Sequence, residues 1–207
     1  MSAKFITLEG IEGSGKSTQI DFVMQFLHEH EIAAIKTREP GGTELGERIR
    51  ELLLSNDIPA MHELTELTLM FAARIEHVNR IIKPALNDGK WVVSDRFYDA
   101  TYAYQGYGRD IDLSKIDNLR EYAIGHFEPD ITLLLDIDLE TSSNRVIERG
   151  SQDRFENEKL EFYGKVRAGY LALAQKYANR ITVIDSTRSL EQVQSEIASK
   201  LNEIIRQ

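Results

Sequence analysis

Short apolar runs alternate with longer amphipathic stretches from one end of this chain to the other. Lys4–Leu8 (KFITL), Ala33–Thr37 (AAIKT), Trp91–Ser94 (WVVS), Thr132–Ile137 (TLLLDI) and Ile181–Ile184 (ITVI) are predicted as five strands. Between them, helices are predicted over Lys16–Glu31, Glu44–Ser55, His62–Leu86, Asp112–His126, Leu139–Glu148, Lys159–Ala178 and Leu190–Ile205. The third is the longest. Its apolar residues Leu64, Leu67, Phe71, Ile75, Val78 and Ile82 recur every three or four positions, the spacing of one helical face. Short apolar strands separated by helices call for an α/β fold, a five-stranded parallel sheet flanked by helices on both faces. No internal repeat, low-complexity tract or Pro/Gly-rich linker divides residues 1–207, so one domain is expected. Sheets of this kind bind ligands beyond the carboxyl ends of their strands, which directs attention to the residues following each one.

Composition narrows the function. The chain has 207 residues, 42% hydrophobic and 29% charged, as soluble proteins do. It has no cysteine, which removes disulfides and thiolate metal sites. The apolar stretch near the N-terminus is too short for a signal-peptide core and ends at Glu9, and no apolar run approaches the roughly 20 residues of a membrane helix. A cytoplasmic protein without membrane contact is expected. The net charge of -9, with no basic stripe, argues against a nucleic-acid polymer as partner. Small phosphates remain open, provided that arginines converge locally.

The first predicted strand is followed by Gly10-Ile11-Glu12-Gly13-Ser14-Gly15-Lys16-Ser17-Thr18, which fits the P-loop pattern G-x-x-x-x-G-K-[ST] between a strand and a helix. The glycines let successive backbone N–H groups turn inward around an anion, and the helix behind adds its positive end. Lys16 can reach the β- and γ-phosphates of a nucleotide, and the Ser17 hydroxyl can bind Mg²⁺. A chance glycine-rich turn is the bland alternative, and the strand–loop–helix context opposes it. The loop alone does not separate kinase from GTPase or motor ATPase, although no Asn-Lys-x-Asp guanine-reading motif is present.

Three further segments carry polar residues where a second ligand would sit. Thr37-Arg38-Glu39-Pro40-Gly41-Gly42-Thr43 follows the second strand. Asp95-Arg96-Phe97, then Tyr104-Gln105-Gly106-Tyr107-Gly108-Arg109, follow the third. Phe71-Ala72-Ala73-Arg74 lies on the long helix. Arg38 and Arg96 can clamp one phosphate between planar guanidinium forks, although a surface salt bridge is the commoner fate of a single arginine. Phe71 and Arg74 share a helical face, and periodicity by itself favours Phe71 as core. Asp95 can support Mg²⁺ or cap a helix. The histidines at 28, 30, 62, 77 and 126 show no metal spacing.

Taken together, these motifs resemble bacterial thymidylate kinases from about Phe5 to the C-terminal helix, in order and in spacing. The resemblance implies a P-loop nucleoside-monophosphate kinase that phosphorylates dTMP to dTDP with ATP and Mg²⁺, on the route to dTTP. It implies that Phe71 and Arg74 hold thymine, that Thr101 and Gln105 help read the base edge, that Tyr104 packs on the deoxyribose, and that Arg50 lies near the acceptor. Ala100 stands where relatives often carry serine, which removes one polar contact. Tyr102, Tyr107 and Arg109 are equally consistent with packing or surface positions.

A lid is implied at about residues 148–157. Members of this family place either a basic residue in the P-loop or a carboxylate there with arginine in the lid. Glu12 together with Arg149 and Arg154 resembles the second, bacterial arrangement, and Glu12 would contact the acceptor sugar or help to hold Mg²⁺. Arg145 would lie against adenine, and Asp185-Ser186-Thr187 would form part of the same pocket. The catalytic set implied is Glu12, Lys16, Arg96, Arg149 and Arg154, with Ser17 and Asp95 toward the metal. A homodimer involving the long helix is also implied. A kinase of another nucleotide, a regulatory GTPase or ATPase, and a catalytically silent binding module are the competing readings.

Overall fold

Five parallel strands lie in the order β2-β3-β1-β4-β5 in the computed structural model, which describes residues 2–58, 61–149, 154–155 and 158–206, Arg149 by its backbone only. The strands are β1 (Phe5–Glu9), β2 (Ala34–Arg38), β3 (Trp91–Asp95), β4 (Ile131–Asp136) and β5 (Ile181–Asp185). Each predicted strand is present, shifted by at most a residue at either end. β1 occupies the centre, with Phe5 opposite Val92 and Ile6 opposite Ile131. All five of its residues are buried, as a central parallel strand covered on both faces requires.

Alternation along the strands sorts the core into two layers. Phe5, Val92 and Leu134 face a cluster that includes Leu67, Phe71, Ile116, Val166 and Tyr170. Those residues come from α3 (Glu63–His77), α6 (Leu113–Ile124) and α8 (Leu160–Lys176). Ile6, Leu8, Val93, Leu133 and Leu135 face the other way, onto Ile20, Val23 and Leu27 of α1 (Lys16–Glu29) and Val193, Ile197 and Leu201 of α9 (Leu190–Ile205). Inside the sheet the hydroxyls of Thr7 and Thr132 are 2.7 Å apart, and Arg180 donates to the Thr132 hydroxyl at 2.7 Å.

Local chemistry sets the helix ends. α1 stops two residues before the predicted end because His30 turns back onto Phe26 and Glu31 takes a positive φ of 57°. α2 (Glu44–Leu54) starts on Thr43, whose hydroxyl accepts from Gly46 N–H, and α9 starts on a Ser189/Gln192 capping box.

The long predicted helix is interrupted. α3 passes through a π-helical turn at Val78–Ile82 before continuing as α4 (Lys83–Asn87). Pro84 has no N–H to offer the Arg80 carbonyl, so a wider turn there costs little. The stretch after β3, which the apolar pattern leaves unassigned, is helical: α5 (Tyr98–Thr101) runs into a second π-helical segment, Tyr102–Gly108. Its glycines are closely packed. A Cβ at Gly106 would lie 2.5 Å from Leu113, and one at Gly108 would lie 2.6 Å from Phe162. α7 (Leu139–Arg149) completes the layer beside the P-loop.

Candidate active site

The loop from Gly10 to Gly15 joins the buried end of β1 to α1. Gly10 has φ 143°, and a Cβ there would stand 2.5 Å from the Leu135 carbonyl oxygen. Gly13 has φ 72°, and its Cβ would meet the Ser142 carbonyl at 2.7 Å. Backbone is therefore seated directly on β4 and α7, and the Ser142 hydroxyl donates to the Glu12 carbonyl at 2.7 Å. Lys16 lies back across the loop, its Nζ donating to the carbonyls of Gly10 and Ile11 at 3.0 Å each. Burial, and then the neighbouring Arg96 charge, lower its pKa, while Glu12, Asp95 and Glu9 pull it up. Ile11 points into the core and Ser14 is buried beneath the loop, its Oγ without a hydrogen-bond partner.

A cavity of about 550 Å³ opens in front of this loop. Glu12, Gly13, Gly15, Lys16, Ser17 and Thr18 line one side. Asp95 and Arg96, at the carboxyl end of β3, form the middle. Asp95 does not cap the next helix: α5 begins after Phe97 with no side-chain cap, and Asp95 Oδ1 is buried without a partner. Arg96 has φ 66°, uncommon for a residue with a Cβ. Three hydrogen bonds hold the turn: Arg96 N–H to the Leu8 carbonyl, Phe97 N–H to Glu9 Oε1 at 2.7 Å, and the Ser94 hydroxyl to the Arg96 carbonyl. The turn aims the Arg96 guanidinium at Glu12 (2.5 Å) and the Tyr104 hydroxyl (2.9 Å). Burial opposes its charge, but Glu12 and Tyr104 more than offset this and hold its pKa well above the ordinary arginine value.

The far side is built from Arg38, Arg50, Met70, Arg74, Thr101, Tyr104 and Gln105. Arg74 is 2% exposed. Its Nε donates to Glu39 at 2.7 Å, and its Nη2 to the Thr101 hydroxyl at 3.0 Å and the Phe97 carbonyl at 3.3 Å. Its Nη1 is buried with no partner. Glu39 also meets His77 Nδ1 at 2.9 Å, and His77 Nε2 lies 2.6 Å from the Thr37 hydroxyl. Arg38 pairs with Glu47 at 2.6 Å, and Arg50 donates to the Pro40 carbonyl at 3.0 Å. Arg145, from α7, spans the rim, donating to the Gly13 carbonyl at 3.2 Å and the Ser186 carbonyl at 3.5 Å.

The Thymidylate kinase family model matches residues 8–197. The chain belongs to the thymidylate kinase family. It is 50% identical over 194 residues to the thymidylate kinase of Ruthia magnifica subsp. Calyptogena magnifica, covering 94% of this chain and 95% of that one. It is 47% identical over 206 residues to the thymidylate kinase of Marinomonas sp. (strain MWYL1), covering 98% and 97%. The solved structure of thymidylate kinase from Ehrlichia chaffeensis superposes with a TM-score of 0.78 at 38% identity, covering 97% of this chain and 99% of that one.

Two expected residues, Phe71 at the thymine and Arg154 in the catalytic lid, lie elsewhere. Phe71 is 1% exposed and does not line the cavity; it belongs to the core, with the Arg74 guanidinium 4.7 Å from its ring centroid. Met70, one helical turn before Arg74, lines the cavity instead. Arg154 also points away from the P-loop. Its guanidinium donates to the Leu53 carbonyl and to Glu66, each at 2.7 Å. The side chain of Arg149 and most of the predicted 148–157 lid lie outside the described residues.

Three buried carboxylates at the site have no counterpart among the expected residues: Glu9 and Glu66 behind the cavity wall, and Glu39 in it. For Glu66 a signal exists, since Glu66, Arg74 and His77 recur at eight and three residues, a polar stripe interrupted by Met70 beside the apolar one.

The residues present suit a magnesium nucleotide. Among those described, no group of three or more His, Cys, Asp or Glu side chains could hold a metal alone. Mg²⁺ commonly takes one or two protein oxygens together with substrate phosphates, and the unpartnered Asp95 Oδ1 beside Ser17 and Lys16 fits that mode. No described helix is long and apolar enough to cross a membrane.

Proposed function

We propose that ATP occupies the P-loop side of the cavity and dTMP the side lined by Arg38, Arg74, Thr101, Tyr104 and Gln105. As a thymidylate kinase, the chain uses ATP with Mg²⁺ to phosphorylate dTMP to dTDP, a step toward dTTP for DNA synthesis. A 5′-phosphate oxygen of dTMP attacks the γ-phosphorus, the bond from that phosphorus to the β,γ-bridging oxygen breaks, and ADP leaves. The attacking oxygen is already ionised, so the protein supplies position and charge rather than a strong base. Lys16 meets the transferring phosphoryl, and Arg96, steadied by Glu12 and Tyr104, meets the acceptor phosphate together with Arg38. Thr101 and Gln105 meet the base edge beside Arg74, and Met70 takes the packing role expected of Phe71. Ser17 and Asp95 would hold Mg²⁺, which neutralises charge on the β- and γ-phosphates. Arg145 would lie against adenine. Arg149 is proposed to close over the phosphates from a lid at about residues 148–157, within a single kinase domain, while Arg154 stays on Leu53 and Glu66.

The observation that carries this reading is Arg74 Nη1: a buried donor without a partner, in the wall of the cavity that the P-loop also lines. A buried cationic donor is costly to leave unpaired, and a pyrimidine carbonyl would complete it. The test is ADP formation from Mg-ATP with dTMP, dUMP, UMP, dCMP, AMP and thymidine offered singly. Strong preference for dTMP is expected. Preference for another acceptor sinks the base assignment, and ADP release indifferent to every acceptor sinks the kinase reading. A cytoplasmic homodimer is proposed on the resemblance and on the exposed Leu45, Leu52 and Leu64 of α2 and α3; sedimentation at a monomer's mass would refute it.

A further inference from the structure

Glu66 lies behind the acceptor end of the cavity, 1% exposed, on the polar stripe of α3. It does not line the cavity. Its Oε1 accepts from Gln105 Nε2 at 2.8 Å, and Gln105, itself 1% exposed, does line the cavity. Arg109 donates to both Glu66 oxygens at 3.4 Å, and Arg154 to Oε2 at 2.7 Å.

A side-chain amide has two chemically opposite ends that differ little in shape, and rotation by half a turn exchanges them. Nothing in the size of a pocket decides which end faces a ligand; a neighbour with one-sided chemistry does. Glu66 is such a neighbour. Its oxygens already accept from Arg109 and Arg154, so it meets Gln105 as an acceptor and draws Nε2 to itself. Oε1 lies on the opposite side of the amide carbon.

We propose that Glu66 is a positioning residue for base selection: by engaging Gln105 Nε2 it holds the amide with its carbonyl oxygen toward the base. The proposal rests on the reading that Gln105 meets the base. A fixed acceptor at that place pairs with a base that carries a ring N–H, as thymine and uracil do at N3. Cytosine presents a lone pair at N3, and two acceptors facing each other repel. Discrimination of this kind comes from leaving a buried polar group mispaired rather than from shape. Glu66 thereby favours pyrimidines with an N3–H without touching the substrate.

The test compares kcat/KM for dTMP and dCMP in the wild-type enzyme, Glu66→Gln and Gln105→Ala. A glutamine at 66 can accept from Gln105 or donate to it, so the orientation is no longer enforced. Glu66→Gln is expected to cut the dTMP-over-dCMP preference by about tenfold, the scale of one hydrogen bond, with the KM for ATP unchanged. A purely structural role would lower both acceptors equally, and an unchanged ratio overturns the proposal. Gln105→Ala separates the two layers of inference. If it abolishes the preference while Glu66→Gln keeps it, Gln105 reads the base and Glu66 does not orient it; if Gln105→Ala also keeps the preference, the base reading falls as well. A second measurement needs no variant. The wild-type enzyme should bind dTMP methylated at N3 at least tenfold more weakly than dTMP, and equal binding overturns the proposal.

Discussion

At the P-loop end of the cavity the proposed phosphate contacts are backbone groups held by glycine packing, whereas at the α3 end the proposed base contacts are side chains whose directions are set by buried carboxylates. Gly10 and Gly13 rest against the carbonyls of Leu135 and Ser142, so the loop's shape follows from the strand and helix beneath it. Arg74 and Gln105 have long flexible stems and take their directions from Glu39 and Glu66. The first end is rigid by exclusion. The second is rigid by charge pairing and loses its shape when one partner is removed. An anion that every P-loop protein shares is met by backbone, and a base that differs between kinases is met by replaceable side chains.

The largest expected effect is at the backbone end, where one side chain adds charge to a cradle that forms without it. Lys16→Ala should lower kcat by roughly 10³-fold, the scale of removing one preorganised donor from a developing charge. The melting temperature should change little, because the Lys16 ammonium hydrogen-bonds carbonyls of a loop already held by glycine packing. Rapid-quench turnover and thermal melting measure the two separately, and a large fall in melting temperature would mean that the lysine holds the loop together.

At the side-chain end, removal should damage fold and function at once. Glu39 is 5% exposed and pairs with Arg74 (2%) and His77 (0%). Glu39→Ala leaves a buried guanidinium short of its carboxylate, and about 3–5 kcal/mol of stability should be lost in urea unfolding. The KM for dTMP should rise in parallel, and a variant as stable as wild type would end the contrast between the two regions.

The adjacent pair on α3 sharpens the comparison. Phe71→Ala should cost about 3–5 kcal/mol of stability and leave the KM for dTMP close to wild type, since the ring is core. Met70→Ala should raise that KM by about tenfold, from about 1–2 kcal/mol of lost apolar contact. The opposite pattern would return the thymine contact to Phe71.

How much of this was legible beforehand follows the same division. The P-loop is one contiguous motif whose chemistry is backbone, so pattern and context reveal it, and the alternation of short strands with helices reveals the parallel sheet. The acceptor end depends on partners far apart in the chain. Glu39 meets Arg74 across 35 positions and Glu66 meets Gln105 across 39. Helical period cannot choose between neighbours such as Met70 and Phe71 when an apolar and a polar stripe run side by side. Arg154 reads as a lid cation because its surroundings are polar, and only the arrival of Leu53 and Glu66 shows where its guanidinium is held. The helix through Tyr98–Gly108 is hidden because Gly106 and Gly108 disfavour it locally, while α6 and α8 pack closely on them.

Glu9 lies where the two ends meet, and it supplies the smallest and most graded test. It closes the buried strand β1, accepts from Phe97 N–H on one oxygen and from the Tyr170 hydroxyl on the other, and so ties the Arg96 turn to α8. Burial, and then the Asp99 charge, push its carboxyl up to about 8, against the pull of Tyr170, Phe97 N–H and Arg96. Its ordinary value is 4.5. Between those two values the native chain holds a proton that the unfolded chain has released. Glu9 therefore contributes stability that is full below about pH 4.5, declines as pH rises toward about 8, and is flat above, with a slope of at most about 1.4 kcal/mol per pH unit. Glu9→Gln keeps the shape and an acceptor for Phe97 N–H but cannot titrate. Urea unfolding of both proteins from pH 5 to 9 should show the wild type losing stability relative to Glu9→Gln across that window, with the difference constant above it. Titrating groups remote from Glu9 are common to both proteins and cancel in the difference. A difference that stays constant from pH 5 upward would mean that Glu9 is ionised throughout, and that the Tyr170 hydroxyl, Phe97 N–H and Arg96 together, rather than burial, decide the charge state at the junction.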